Sequence, residues 1–172
     1  MTRNVTPMAT GPGREIVVNV ADFAVTAGHG RLYTAGLGSC VAIALHDAKA
    51  GVAALAHVLL PSAAMRRGTE AARPAKFADE AVPLLLREMR RMGASGPLTA
   101  KLVGGSRMFG SLLSSGVNMG ERNVEAARRA LVEAGVSIAA EDVGGEFGRN
   151  VTVDVATFRV RVSSLERGDR VI

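Results

Sequence analysis

The chain has 172 residues, 48% of them hydrophobic and 22% charged, a balance that argues against a disordered chain and suits one domain with a sizeable core. Its single cysteine excludes an intramolecular disulfide and any cysteine-rich zinc or iron–sulfur centre, and a reducing, cytoplasmic location is the expectation. The net charge of +5 reflects arginine, 18 of the 21 basic residues, yet aromatics are only 3%, which argues against a nucleic-acid partner bound by base stacking.

Residues 1–14 (MTRNVTPMATGPGR) are rich in Thr, Pro and Gly and read as a flexible leader, with a single domain over 15–172. The leader holds no apolar stretch of the roughly 7–15 residues a secretory signal needs. No run approaches the ~18 apolar residues of a membrane helix, so no stable membrane insertion is expected. Glu15–Val20 is an expected strand. Arg31–Cys40 starts strand-like and breaks at Gly36 and Gly38. Val41–His46 and Val52–Leu60 are apolar runs separated by Asp47–Gly51, which signals a hairpin. Pro61–Pro74 lacks periodicity and reads as a loop.

A helix is expected over Phe77–Met92, because Ala78, Ala81, Val82, Leu85, Met89 and Met92 form one apolar stripe. Arg87, Arg90 and Arg91 fall off that stripe, on a solvated face. Pro83 conflicts with this helix, having no N–H and clashing with the preceding turn; the helix then starts nearer Val82 or kinks. Leu98–Val103 reads as a strand and Gly104–Asn118 as a glycine- and serine-rich crossing. A second helix runs from about Gly120 to Ala134, with Val124, Ala127, Leu131 and Ala134 inward. Val136–Glu141 is a strand, Asp142–Arg149 a glycine turn, and Val151–Val155 with Phe158–Val162 a closing hairpin. There is no internal repeat. The total is a mixed α/β domain with at least seven strands and two principal helices.

Cys40 closes the turn Gly36-Leu37-Gly38-Ser39-Cys40 between two strands. A lone cysteine is most often a small buried hydrophobe. A glycine turn, however, leaves backbone N–H groups free to hold an oxyanion, which here would come from Gly38 and Ser39. A thiol nucleophile also needs a base within reach, and the histidines are His29, His46 and His57. If His46 pairs with Gly51 around a four-residue loop, Cys40 stands directly opposite His57, with Cβ atoms ~4.5–5.5 Å apart. A shift of one residue would set His57 opposite Val41 instead. His46 is six residues along the strand from Cys40, about 20 Å at ~3.3 Å per residue, and reads as a surface residue at the hairpin tip. His29, between glycines, reads as loop.

No acidic residue lies near either partner on a suitable face. Thr34 is the available third member, although spacing alone favours an ordinary strand threonine. Gly104–Gly105 lacks a phosphate-loop pattern. Glu141 and Asp142 have no useful carboxylate partner, and three histidines without an HExxH arrangement make no metal site. No cofactor is expected.

These residues carry a resemblance. Thr-Ala-Gly-Leu-Gly-Ser-Cys-Val-Ala (34–42), Ala-His-Val-Leu-Leu-Pro (56–61), Lys-Phe-Ala-Asp-Glu-Ala-Val (76–82), Gly-Gly-Ser-Arg-Met-Phe (104–109), Asn-Met-Gly-Glu-Arg-Asn-Val (118–124) and Glu-Asp-Val-Gly-Gly-Glu-Phe-Gly-Arg (141–149) stand in the order seen in CheD. The chain resembles these chemoreceptor glutamine deamidases over roughly residues 15–163. The resemblance implies a layered α/β sandwich of mixed, largely antiparallel sheets, similar to deamidating toxins. It implies a Cys–His–Thr triad of Cys40, His57 and Thr34, overriding the ordinary reading of Thr34. It also implies glutamine side chains of methyl-accepting chemotaxis receptors as substrate, and a CheC-type phosphatase as a further partner. The alternatives are a non-catalytic adaptor for receptor or phosphatase, and a receptor glutamyl methylesterase. Departures from the family pattern are small: Phe77 replaces a commoner tyrosine, Pro83 interrupts a helix, and the leader is longer.

Overall fold

Val41–Asp47 (β4) is buried at all seven positions, and so is its hairpin partner Val52–Val58 (β5). Strands apolar on both sides need a layer on each face, and the rest of the chain supplies the two layers. The computed structural model describes residues 13–67, 73–107 and 118–172. Glu15–Val17 (β1), Phe23–Ala27 (β2) and Arg31–Leu37 (β3) precede β4. After β5 come helix Ala78–Arg91 (α1), Thr99–Gly104 (β6), helix Met119–Glu133 (α2), Ser137–Val143 (β7), Arg149–Asp154 (β8), Val160–Ser164 (β9) and Gly168–Val171 (β10).

The strands form two five-stranded sheets, ordered β1-β3-β8-β9-β10 and β2-β5-β4-β6-β7. Only β1–β3 and β6–β7 pair in parallel; the other pairs are antiparallel. Odd-numbered residues of β4 (Val41, Ile43, Leu45) meet Val82, Leu85 and Met89 of α1 and Val124, Ala127 and Leu131 of α2. Even-numbered ones (Ala42, Ala44) face the other sheet and pack with Leu32, Leu37, Val151, Val153 and Val160. The result is a sheet–sheet–helix sandwich of mixed α/β class, as the sequence implies.

The α1 stripe is buried as the periodicity predicts from Ala78 to Met89, Met92 is the half-buried C-cap, and Arg87, Arg90 and Arg91 are exposed. The helix starts at Ala78 with Pro83 inside it. Pro83 faces solvent, so water can satisfy the carbonyl that its missing N–H leaves unbonded. In α2, Ala134 caps the helix and is exposed rather than inward. Two strands were not legible, β2 and β10; β2 is only half-buried and β10 exposed throughout, so neither shows a clear apolar alternation. The expected turn at 142–149 is shorter, because Asp142, Val143 and Arg149 belong to strands. The leader through residue 12, part of the 61–74 loop and residues 108–117 of the glycine-rich crossing lie outside the described residues.

Candidate active site

The chain passes from one sheet to the other at Gly38–Cys40, between β3 and β4. Cys40 therefore sits at a crossing, beside the layer that both sheets enclose. It is 9% exposed, whereas Thr34 and His57 are fully buried.

The hairpin register differs from the expected one. Asp47 pairs with Val52 and His57 stands opposite Ala42, not opposite Cys40. The loop keeps four residues but moves to 48–51. Two features set this position. Gly51 takes φ +62°, a left-handed conformation glycine adopts without steric cost, so it belongs in the turn. Asp47 accepts hydrogen bonds from the N–H groups of Lys49 (2.9 Å) and Ala50 (3.0 Å), and of Ser95 and Gly96 (both 2.8 Å). These donors hold its carboxyl below the usual range and make it the last strand residue. The register is moved by two residues in effect, so faces are conserved. Cys40 and His57 still share the inter-sheet face, now as diagonal neighbours.

His46 is not a surface residue. It is buried on the same face, its ring stacked on Phe158 with centroids 4.8 Å apart. Both faces of β4 are covered to its end, which the sequence of a hairpin tip does not reveal. His29 lies in an exposed bend, as expected.

Thr34 reaches His57 across the two sheets. Its Oγ1 lies 2.7 Å from His57 Nδ1, and the same hydroxyl donates to Val18 O at 2.8 Å. A hydroxyl has one hydrogen, and Val18 O can only accept. Thr34 must therefore accept from Nδ1–H, which leaves Nε2 of a neutral His57 as a bare lone pair. That Nε2 is buried and has no partner among the described residues. Burial lowers the His57 pKa to about 4, and burial raises that of the Cys40 thiol, opposed in part by its own backbone N–H. The resting pair is a neutral thiol and a neutral imidazole.

The carbonyls of Gly38, Ser39 and Cys40 are all held. Gly38 O accepts from Ser106 N (2.8 Å), Cys40 O from Gly105 N (2.8 Å) and Ser39 O from Asn123 Nδ2 (2.8 Å). Gly104, at φ +113°, lies so close that a Cβ there would stand 2.3 Å from Cys40 O; no side chain fits. Gly104 thus serves close approach to the turn, whereas Gly105, where a Cβ would stand 2.3 Å from Val124 Cγ2, serves close approach to α2.

The sequence model of the family described as "CheD chemotactic sensory transduction" matches residues 59–164. The chain is 44% identical over 156 residues to a protein of Pyrococcus abyssi named "Probable chemoreceptor glutamine deamidase CheD", covering 90% of this chain and 94% of the relative. It is 39% identical over 155 residues to the "Chemoreceptor glutamine deamidase CheD" of Thermotoga maritima, with 90% and 94% covered. The chain belongs to the CheD family.

Other polar groups around this CheD turn had no signal in spacing. Asp142 and Arg149 form an ion pair at 3.0 Å with both side chains 2% exposed, and Arg170 joins Asp142 from the rim. Arg149 Nη1 also donates to Ser106 Oγ (2.6 Å), which donates to Phe147 O (2.7 Å). Ser106, the anchor of Gly38, is locked in turn. Asn123 is buried on α2, 84 residues from the Ser39 it contacts. A concavity of about 440 Å³ opens beside Gly105, lined by Asn118, Val124, Gly144 and the charged Glu121, Arg128 and Glu146. Among the described residues no cluster of His, Cys, Asp and Glu could hold a metal, and no helix is long and apolar enough to cross a membrane.

Proposed function

We propose that this protein deamidates glutamine side chains of chemotaxis receptors, with Cys40 as nucleophile, His57 as base and Thr34 as orienter. The observation that carries the reading is the bare, buried Nε2 of His57, whose tautomer Thr34 dictates, on the face it shares with Cys40. Relatives named as chemoreceptor glutamine deamidases, matched over nine-tenths of the chain, support the substrate.

Because thiol and imidazole rest neutral, His57 Nε2 takes the proton from Sγ as the thiolate attacks. A C–S bond forms at the glutamine side-chain carbonyl carbon, and the amide oxygen becomes an oxyanion. We assign its stabilisation to backbone N–H groups of the turn at Gly38, Ser39 and Cys40. The support is that the turn's three carbonyls are all engaged elsewhere. Protonated His57 gives its proton to the amide nitrogen, the C–N bond breaks and ammonia leaves. Water, deprotonated by His57, then attacks the thioester; the C–S bond breaks, Sγ regains the proton, and the side chain is glutamate. Each assisted proton transfer is worth about 10²–10⁴-fold.

The family resemblance implies glutamines on the cytoplasmic part of the receptors, and hence action in the cytoplasm, with a CheC-type phosphatase as a further partner. Incubation with receptor cytoplasmic fragments, followed by mass spectrometry, tests the reaction. Replacement of side-chain NH2 by OH with ammonia release is the expected result. Loss of a methylene from a glutamyl ester instead would make the enzyme a methylesterase, and binding without modification would make it an adaptor.

A further inference from the structure

We infer that Asn123 is a positioning residue for the Cys–His reaction proposed above, on which this inference rests: from α2 it holds the nucleophile's turn and the base's strand at one spacing. Its side-chain amide donates to Ser39 O at 2.8 Å and to Leu59 O at 3.1 Å. Ser39 precedes Cys40, and Leu59 follows His57 by two residues. Both partners only accept, so the NH2 group must face them and both its hydrogens are used.

The location is where the hairpin ladder has run out. The last β4–β5 pair is Val41 with Val58, so no backbone pairing joins residues 40 and 59. Asn123 bridges that gap and supplies the missing rung. Its Oδ1 is buried without a partner among the described residues, a destabilising feature that a leucine of similar size would avoid. Packing alone therefore does not account for an asparagine here. The helix comes close enough through two glycines: a Cβ on Gly120 would stand 2.4 Å from Gly105 O.

The test uses the full chain acting on a receptor cytoplasmic fragment, with Asn123→Ala, Asn123→Asp and Asn123→Ser, His57→Ala, and the double variant Asn123→Ala/His57→Ala. Misplacement of reacting groups by about 1 Å costs about 100-fold, so Asn123→Ala should lose turnover on that order with KM unchanged. Asn123→Asp, which has the same shape without donors, should match it, and Asn123→Ser should recover part. The double variant should be no slower than His57→Ala alone, because a residue acting through another shows no separate loss. Alkylation of Cys40 by iodoacetamide should lose its dependence on His57 in Asn123→Ala. Wild-type turnover in Asn123→Ala, a further loss in the double variant, or failure of both Asn123→Ala and Asn123→Asp to fold would each overturn the inference. If His57→Ala itself keeps full turnover, the Cys–His reading falls and takes this inference with it. If His57→Ala is inactive while Asn123→Ala is normal, only the inference falls.

Discussion

Thr34 and His57 sit on strands of different sheets, yet Oγ1 and Nδ1 are 2.7 Å apart, and the hydroxyl's only hydrogen is committed to Val18. The threonine can orient the imidazole but cannot neutralise an imidazolium as a carboxylate does. A neutral hydrogen bond is worth about 0.5–1.5 kcal/mol net, which corresponds to about a tenfold effect at its upper end. Thr34→Ser should retain most turnover and Thr34→Ala should lose more, by about tenfold, without unfolding. Steady-state kinetics on a receptor fragment check this. A wild-type rate in Thr34→Ala would reduce the active unit to a Cys–His pair.

Cys40→Ser should be inactive with its fold intact, because a serine hydroxyl is a much weaker nucleophile than a thiolate. His57→Ala should lose about 10²–10⁴-fold for each proton transfer it serves. The buried position of His46 alters what its removal should do. His46→Ala loses the stack on Phe158 and should destabilise the fold by about 1–3 kcal/mol, while each folded molecule keeps its turnover. Denaturant titration and assays corrected for the folded fraction separate the two effects.

Burial depresses the His57 pKa to about 4 in the folded state, against ~6.5 in an unfolded chain. Between those values the unfolded state binds more protons, so stability rises with pH through that window. The contribution is complete above pH ~6.5 and fades as pH falls toward 4, about 3 kcal/mol in all. His46, also depressed by burial, acts with the same sign. Urea titrations from pH 4 to 8 should show this slope, and His57→Asn should flatten it in part. The acid limb of kcat/KM should likewise lie nearer pH 4 than 6.5; a limb at 6.5 would mean the base is not buried as described.

Asp142 and Arg149 are both sealed from water, and removing Asp142 leaves the buried Arg149 charged and uncompensated. Asp142→Ala should cost about 3–5 kcal/mol of stability, read by chemical denaturation. The same change loosens the Ser106 anchor of Gly38, so turnover of the folded fraction should fall as well.

What the sequence determined by itself was local and periodic. Apolar spacing marks α1 and α2, the paired runs around Asp47–Gly51 mark the central hairpin, and the glycine turn makes Cys40 a candidate. Alternation put Cys40 and His57 on one face, and that survived a wrong register because the register moved by two residues, an even step. Only the tertiary structure decided the rest. The position of the hairpin turn rests on Asp47 binding N–H groups of Ser95 and Gly96, far along the chain, together with the left-handed Gly51. The Thr34 hydroxyl meets His57 only because two sheets stack, and Asn123 reaches the Cys40 turn only because two glycines let a helix approach. Periodicity reports which way a side chain faces; which distant group it meets is set by packing between layers, where no spacing rule reaches.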